Sequence, residues 1–204
     1  MKKINLRKLF WIFMISCILG WTIEVLFAYI TMGTFQNRIG GAYGFGSIVL
    51  TISLYKFRNC SNLKVFFISF LVGTIWEYIM SFGMELFLGF SAWDYSWQFL
   101  NINGRVCLLY SIFWGFLGLF WIKLFYPFLI KIIDKIPKYF GDITMFFLII
   151  FLIFDASITF LATNRLKERH NNIKPDGWLD VLLDKYYTDD YLKKVFPGHY
   201  DRIK

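Results

Sequence analysis

The sequence predicts an all-α protein: a polytopic transmembrane helix bundle of about five spans, followed by a C-terminal amphipathic helix. Three observations predict it. Hydrophobic residues make up 57% of the chain and charged residues only 18%, with a mean hydropathy of +0.52. A soluble chain of 204 residues could not cover that much apolar surface, whereas a bilayer can solvate it. Aromatics reach 22%, including 25 Phe and 8 Trp, which suits lipid-facing surfaces and interfacial belts. The basic residues behind the net charge of +8 fall in short clusters between apolar runs. That placement sets membrane orientation and favours lipid headgroups as neighbours, not nucleic acid.

A span needs roughly 20 mostly apolar residues. The runs place spans at about 9–31, 39–55, 65–90, 106–130 and 143–162, within a transmembrane domain of residues 1–164. The first run is too long for a signal-peptide core of roughly 7–15 residues, and no small-x-small site ends it. The second, Ala42–Tyr55, crosses only if it starts near Ile39; otherwise it is re-entrant. Val65–Phe90 is unbroken, and Val106–Ile130 carries one base, Lys123, that can snorkel from near an end. Ile143–Ala162 is mostly Phe, Leu and Ile with a single acid.

The loops set the orientation. Lys2, Lys3, Arg7 and Lys8, then Lys56, Arg58 and Lys64, then Lys131, Lys135 and Lys138 fall on one side, while Arg38 and Arg105 alone mark the other. The positive-inside rule makes the first side, with the N-terminus, cytoplasmic. An odd span count puts the tail outside, although Arg165, Lys167 and Arg169 favour the cytoplasm. In the tail, residues 165–204, the turn signal Pro175-Asp176-Gly177 precedes Leu179, Leu182, Leu183 and Tyr186 at helical spacing. Tyr187, Tyr191, Val195 and Phe196 extend that face, as in a helix that lies on a membrane or caps a bundle. No internal repeat stands out.

Acids inside the spans are costly and need a partner, a proton or water. Glu24, Glu77, Glu85 and Asp155 are such acids. Ser16, Gly20 and Glu24 are spaced by four in the first span, as are Gly73, Glu77, Ser81 and Glu85 in the third; Ser111 with Gly115 and Asp155 with Thr159 follow later. Stripes of small and polar residues mark faces that pack against other helices. They predict a polar cavity toward the outer side, where Arg38 and Arg105 can meet carboxylates. The candidate polar site is Glu24, Asn37, Arg38, Glu77, Asp94, Asn103, Arg105 and Asp155. Trp93 and Tyr95 suit the interfacial belt; Asn101, Asn103 and Arg105 gather just before a span.

Other chemistry finds little footing. Cys17, Cys60 and Cys107 form no disulfide or zinc pattern, and no metal ligand set or cofactor site is evident. The two histidines, His170 and His199, lie in the tail, so no triad can be built from the spans. The glycine-rich first loop lacks the Lys-Ser/Thr pair of a phosphate loop. Gly20-Trp21-x-x-Glu24, Asn37-Arg38, Tyr43-Gly44-Phe45-Gly46, Trp93-Asp94-Tyr95-Ser96, Asn103-Gly104-Arg105 and Ser111-x-x-Trp114-Gly115 together resemble the ABC-transporter type IV (CmpB-like) family of bacterial membrane proteins. Only Ile39-Gly40-Gly41-Ala42 separates Arg38 from Tyr43 here, shorter than the family's stretch. The resemblance implies a multi-pass protein of the bacterial cell membrane and a permease-type component whose ATPase is a separate chain. An oligomer is compatible with it. A membrane-embedded enzyme or lipid-binding protein, and a scaffold, stay open beside that reading.

Overall fold

Backbone in lipid must satisfy its own hydrogen bonds, so long apolar runs become helices. The computed structural model describes residues 4–32, 41–88 and 93–195, and no strand occurs among them. The helices are α1 (Leu6–Met32), α2 (Gly41–Leu54), α3 (Asn62–Leu88), α4 (Leu108–Phe120), α5 (Tyr126–Ile133), α6 (Lys138–His170), α7 (Trp178–Tyr186) and α8 (Asp189–Val195). Among the described residues, four segments are long and apolar enough to cross a membrane: Leu6–Leu26, Asn62–Phe87, Leu108–Ile133 and Lys138–His170. The chain is thus an all-α membrane protein. The second expected span is described as α2, 14 residues or about 21 Å, short of the roughly 30 Å of a hydrocarbon core.

The chain divides into two units. One comprises Met1–Tyr78 and Tyr95–Met145, the other Ile79–Asp94 and Phe146–Lys204. The core of the first draws Ile12 from α1, Leu50 and Leu54 from α2, Val65 from α3, and Trp121, Tyr126 and Leu129 from the α4–α5 segment. Between α4 and α5, Trp121–Phe125 form a π-helical turn just ahead of Pro127. Proline has no N–H and crowds the preceding turn, and a wider turn relieves both defects without ending the span. The turn also aims Trp121 into the core, where its Nε1 donates to Thr51 Oγ1 at 2.9 Å. Thr51→Val would leave that indole N–H buried without an acceptor. We expect it to cost about 1–2 kcal/mol, read as a lower melting temperature in detergent.

The N-terminal bases are not simply solvated. Lys8 Nζ pairs with Asp134 at 3.0 Å and Arg7 Nε with Asp142 at 2.7 Å. Arg7 Nη2 also donates to the carbonyls of Ile136 and Pro137, so the start of α1 is tied to the α5–α6 turn. Lys123 Nζ donates to the Cys60 carbonyl at 2.7 Å, at the turn between α2 and α3.

In the second unit α6 continues well past its apolar run to His170, so the expected boundary at 164/165 falls inside a helix. Arg165 is a helical residue there, buried, and grips Asp184 with two parallel bonds of 2.9 and 3.0 Å. Arg169 reaches Asp184 and Asp189, both at 2.6 Å, and the Tyr187 carbonyl. Below these ion pairs Ala162 and Leu166 of α6 meet Leu183 of α7 and Leu192 of α8. The apolar face expected for the tail is therefore divided: Leu183 is buried, whereas Leu182 and Tyr186 are exposed. The arginines decide this, because satisfying them fixes the rotation of α7. Phe196 lies outside the described residues.

Candidate functional site

Glu77 sits on α3 at 8% exposure, deep in an apolar span. Two neutral donors hold it. Tyr95 Oη donates to Oε1 at 3.1 Å and Trp114 Nε1 to Oε2 at 3.0 Å. Each comes from a different element, so a single carboxylate joins α3, α4 and the 93–107 loop.

Glycine makes the indole's approach possible. Gly73, one turn before Glu77, lies under the Trp114 ring, and a Cβ there would overlap the ring atoms. The far edge of the ring lies over Gly46 of α2. The stripe of Gly73 and Glu77 is thus a notch and an acceptor one turn apart, filled by one side chain.

The 93–107 loop delivers the phenol. Tyr95 N donates to the Gly104 carbonyl at 2.7 Å and Ile102 N to the Val106 carbonyl at 2.9 Å. Asn101 Nδ2 donates to the carbonyls of Ser96 and Gln98, and its Oδ1 accepts from Gly104 N. Asn103 and Gly104 both have positive φ, 53° and 67°, which asparagine and glycine tolerate best. The Asn-rich stretch before the fourth span is accordingly a folded turn. The Tyr95 ring stacks on Tyr110 of α4 at 4.4 Å. Burial, then the adjacent Glu77 carboxylate, push the Tyr95 phenol well above its ordinary range, so it remains a donor at any physiological pH. Asn101→Ala removes three of the bonds that shape the turn. We expect a loss of about 1–2 kcal/mol, with Tyr95 amide protection falling in hydrogen exchange.

Glu24 has a smaller version of this arrangement on α1: Tyr43 Oη donates to its Oε2 at 3.3 Å. Asn103 Nδ2 donates to Tyr78 Oη at 3.0 Å, and the Arg105 guanidinium lies 5.7 Å from the same ring. Asp94 is exposed in the second unit. Asp155 corrects the expected inward stripe: it is exposed on α6, as are Phe151 and Phe154 beside it. Asn37 and Arg38 lie outside the described residues. Of the expected set, the structure brings Asn103 and Arg105 together at Tyr78, the residue after Glu77, while Glu24 has its own donor. The aromatic donors Tyr43, Tyr95 and Trp114 escape a reading that searches for charges. Their signal is that a phenol or indole in lipid must place its one polar atom somewhere. No group of three or more metal-ligating side chains occurs among the described residues.

A family model described as Putative ABC-transporter type IV matches residues 11–160, and so runs from within α1 to within α6. No curated protein and no solved structure matches the chain.

Proposed function

Because the chain belongs to the ABC-transporter type IV family, we propose that it is a permease-type membrane component of an ABC transporter. The family match over residues 11–160 is the observation that carries this reading. The sequence holds no GxxxxGK[ST] motif, and this reading assigns ATP hydrolysis to a partner chain. The protein sits in the bacterial cell membrane among lipids with its N-terminus in the cytoplasm, and pairs or larger oligomers suit a permease.

Within it, we assign the polar step of the path to Glu24, Glu77, Asn103 and Arg105 of the first unit. The support is energetic. An ionised carboxylate at membrane depth costs several kcal/mol, and holding Glu77 with donors from two other elements is unnecessary for a helix that only packs. Glu77→Gln keeps the shape and removes the charge.

The test is purification of the tagged chain from its own host in mild detergent, with mass spectrometry of its companions and an ATP hydrolysis assay. Stoichiometric recovery of an ATPase chain, with hydrolysis lowered at least tenfold by Glu77→Gln, is the expected result. Recovery of this chain alone, with bound lipid, would overturn the permease reading in favour of a stand-alone lipid-binding protein.

A further inference from the structure

Glu24 and Glu77 are built alike, and the likeness extends beyond them. Phe13, Ile15, Ser16, Gly20 and Glu24 of α1 recur in α3, at constant spacing, as Phe66, Ile68, Ser69, Gly73 and Glu77. Gly44, Phe45, Tyr55 and Phe57 recur, again at constant spacing, as Gly115, Phe116, Tyr126 and Phe128. In these two registers Tyr43 answers to Trp114.

The contacts follow the same registers. Gly20 lies under the Tyr43 ring as Gly73 lies under Trp114, and each ring reaches the glutamate one turn further on. Phe13 packs against Gly44 as Phe66 packs against Gly115. Ile12 and Val65, and likewise Leu50 and Trp121, are corresponding pairs, and all four enter one core. Tyr55 and Tyr126, a corresponding pair, pack edge-to-face at 6.1 Å, as equivalent residues do beside a twofold axis.

We infer that the α1–α2 hairpin and the α3–α4 segment are two copies of one two-helix unit, each carrying a carboxylate cradle for one positive charge. The sequence hides the repeat because lipid-facing positions need only be apolar, and only the notch, the acid and the ring junction keep their residues. The starts of both copies, Ile12 and Val65, meet in one core, so the relation is a parallel repeat, with its axis along the membrane normal.

Two consequences follow. First, α2 is part of a membrane span, as its counterpart α4 is part of the span Leu108–Ile133, so the turn at Cys60 lies on the side of the N-terminus. Second, Glu24 with Tyr43 is a site in its own right. In both cradles the described partners are neutral donors, and no Lys, Arg or His pairs with either acid among the described residues. The missing charge arrives as a proton or as an ammonium group, for which the aromatic rings offer a second attraction.

Both consequences are testable on the full chain, and neither leans on the permease reading, since the absence of an ATPase partner would leave both untouched. A hydrophobic carbodiimide couples to protonated carboxyls in apolar surroundings. With the protein in mild detergent, Glu24 and Glu77 should both be modified, as located by tandem mass spectrometry. Protection of both by tetramethylammonium would identify an ammonium ligand; protection of neither would identify the proton alone. Modification or protection of one without the other, or modification of neither, overturns the equivalence. In intact cells, with Cys17 and Cys107 replaced by alanine, an impermeant maleimide should label Phe99→Cys and leave Cys60 untouched until the cells are opened. Labelling of Cys60 from outside overturns the repeat.

Discussion

Replacing Gly73 by alanine should destabilise the protein by about 3 kcal/mol, although it adds a single methyl group. The methyl would occupy space that belongs to the Trp114 ring, whose Cβ and Cγ are the nearest atoms and cannot swing aside as a flexible tip would. Overpacking of this kind costs about 1–3 kcal/mol. The larger part follows when the indole moves, because Glu77 then loses the Nε1 donor that helps it tolerate burial. Gly83, on the same helix, provides the control. Nothing lies within 4 Å of a Cβ placed there, so Gly83→Ala should stay within about 1 kcal/mol of the parent. Melting temperatures of the two variants in one detergent check the claim. Equal values would mean that Trp114 is not seated in the notch.

Arg165→Ala should have a comparable effect in the second unit, about 3 kcal/mol. The side chain is buried, and its removal leaves Asp184 with Arg169 alone and Glu168 without its partner. Breaking such a pair from one side is far costlier than never having built it. Hydrogen exchange is the direct measurement: amides of α7 and α8 should exchange about a hundredfold faster, while those of α1 stay unchanged. Acid should act on the same joint. The bonds from Arg165, and then those from Arg169, hold the Asp184 carboxyl below its usual range. A group with a depressed folded-state value contributes stability above its unfolded value, near pH 4, and loses it as pH falls through the lower folded one. The α7–α8 tail should therefore be intact at neutral pH and loosen below about pH 4, before the helices of the first unit respond.

Much of the fold could be read from the sequence because lipid imposes a single requirement on long segments, and runs such as Val65–Phe90 and Ile143–Ala162 meet it plainly. The stripes of Ser16, Gly20 and Glu24 and of Gly73 and Glu77 were legible for the same reason: spacing by four puts residues on one helical face. What fills a notch is not a property of that face. Trp114 lies 37 positions beyond Glu77 and Tyr95 lies 18 beyond it, and only tertiary packing brings them to the carboxylate. Tyr95 invited the interfacial reading because an aromatic near a span end has that place by default. Asp155 was misread differently. Helical spacing groups it with Thr159 but cannot say which way the group faces, and α6 leaves it exposed. In the tail, periodicity marked α7 as amphipathic, yet the salt links of Arg165 and Arg169 chose which of its leucines went inside.

The indole lodged at Gly73 also has a mechanical meaning. Its ring is keyed into a gap in α3 while its nitrogen grips a carboxylate one turn along the same helix. A slide of α4 along α3, even by a fraction of a turn, must lift the key and release the grip together. Displacement thus removes one of the two donors from Glu77 and leaves its carboxylate to Tyr95 alone. The spacing of notch and acceptor therefore fixes the axial register of α4 against α3 as well as their distance.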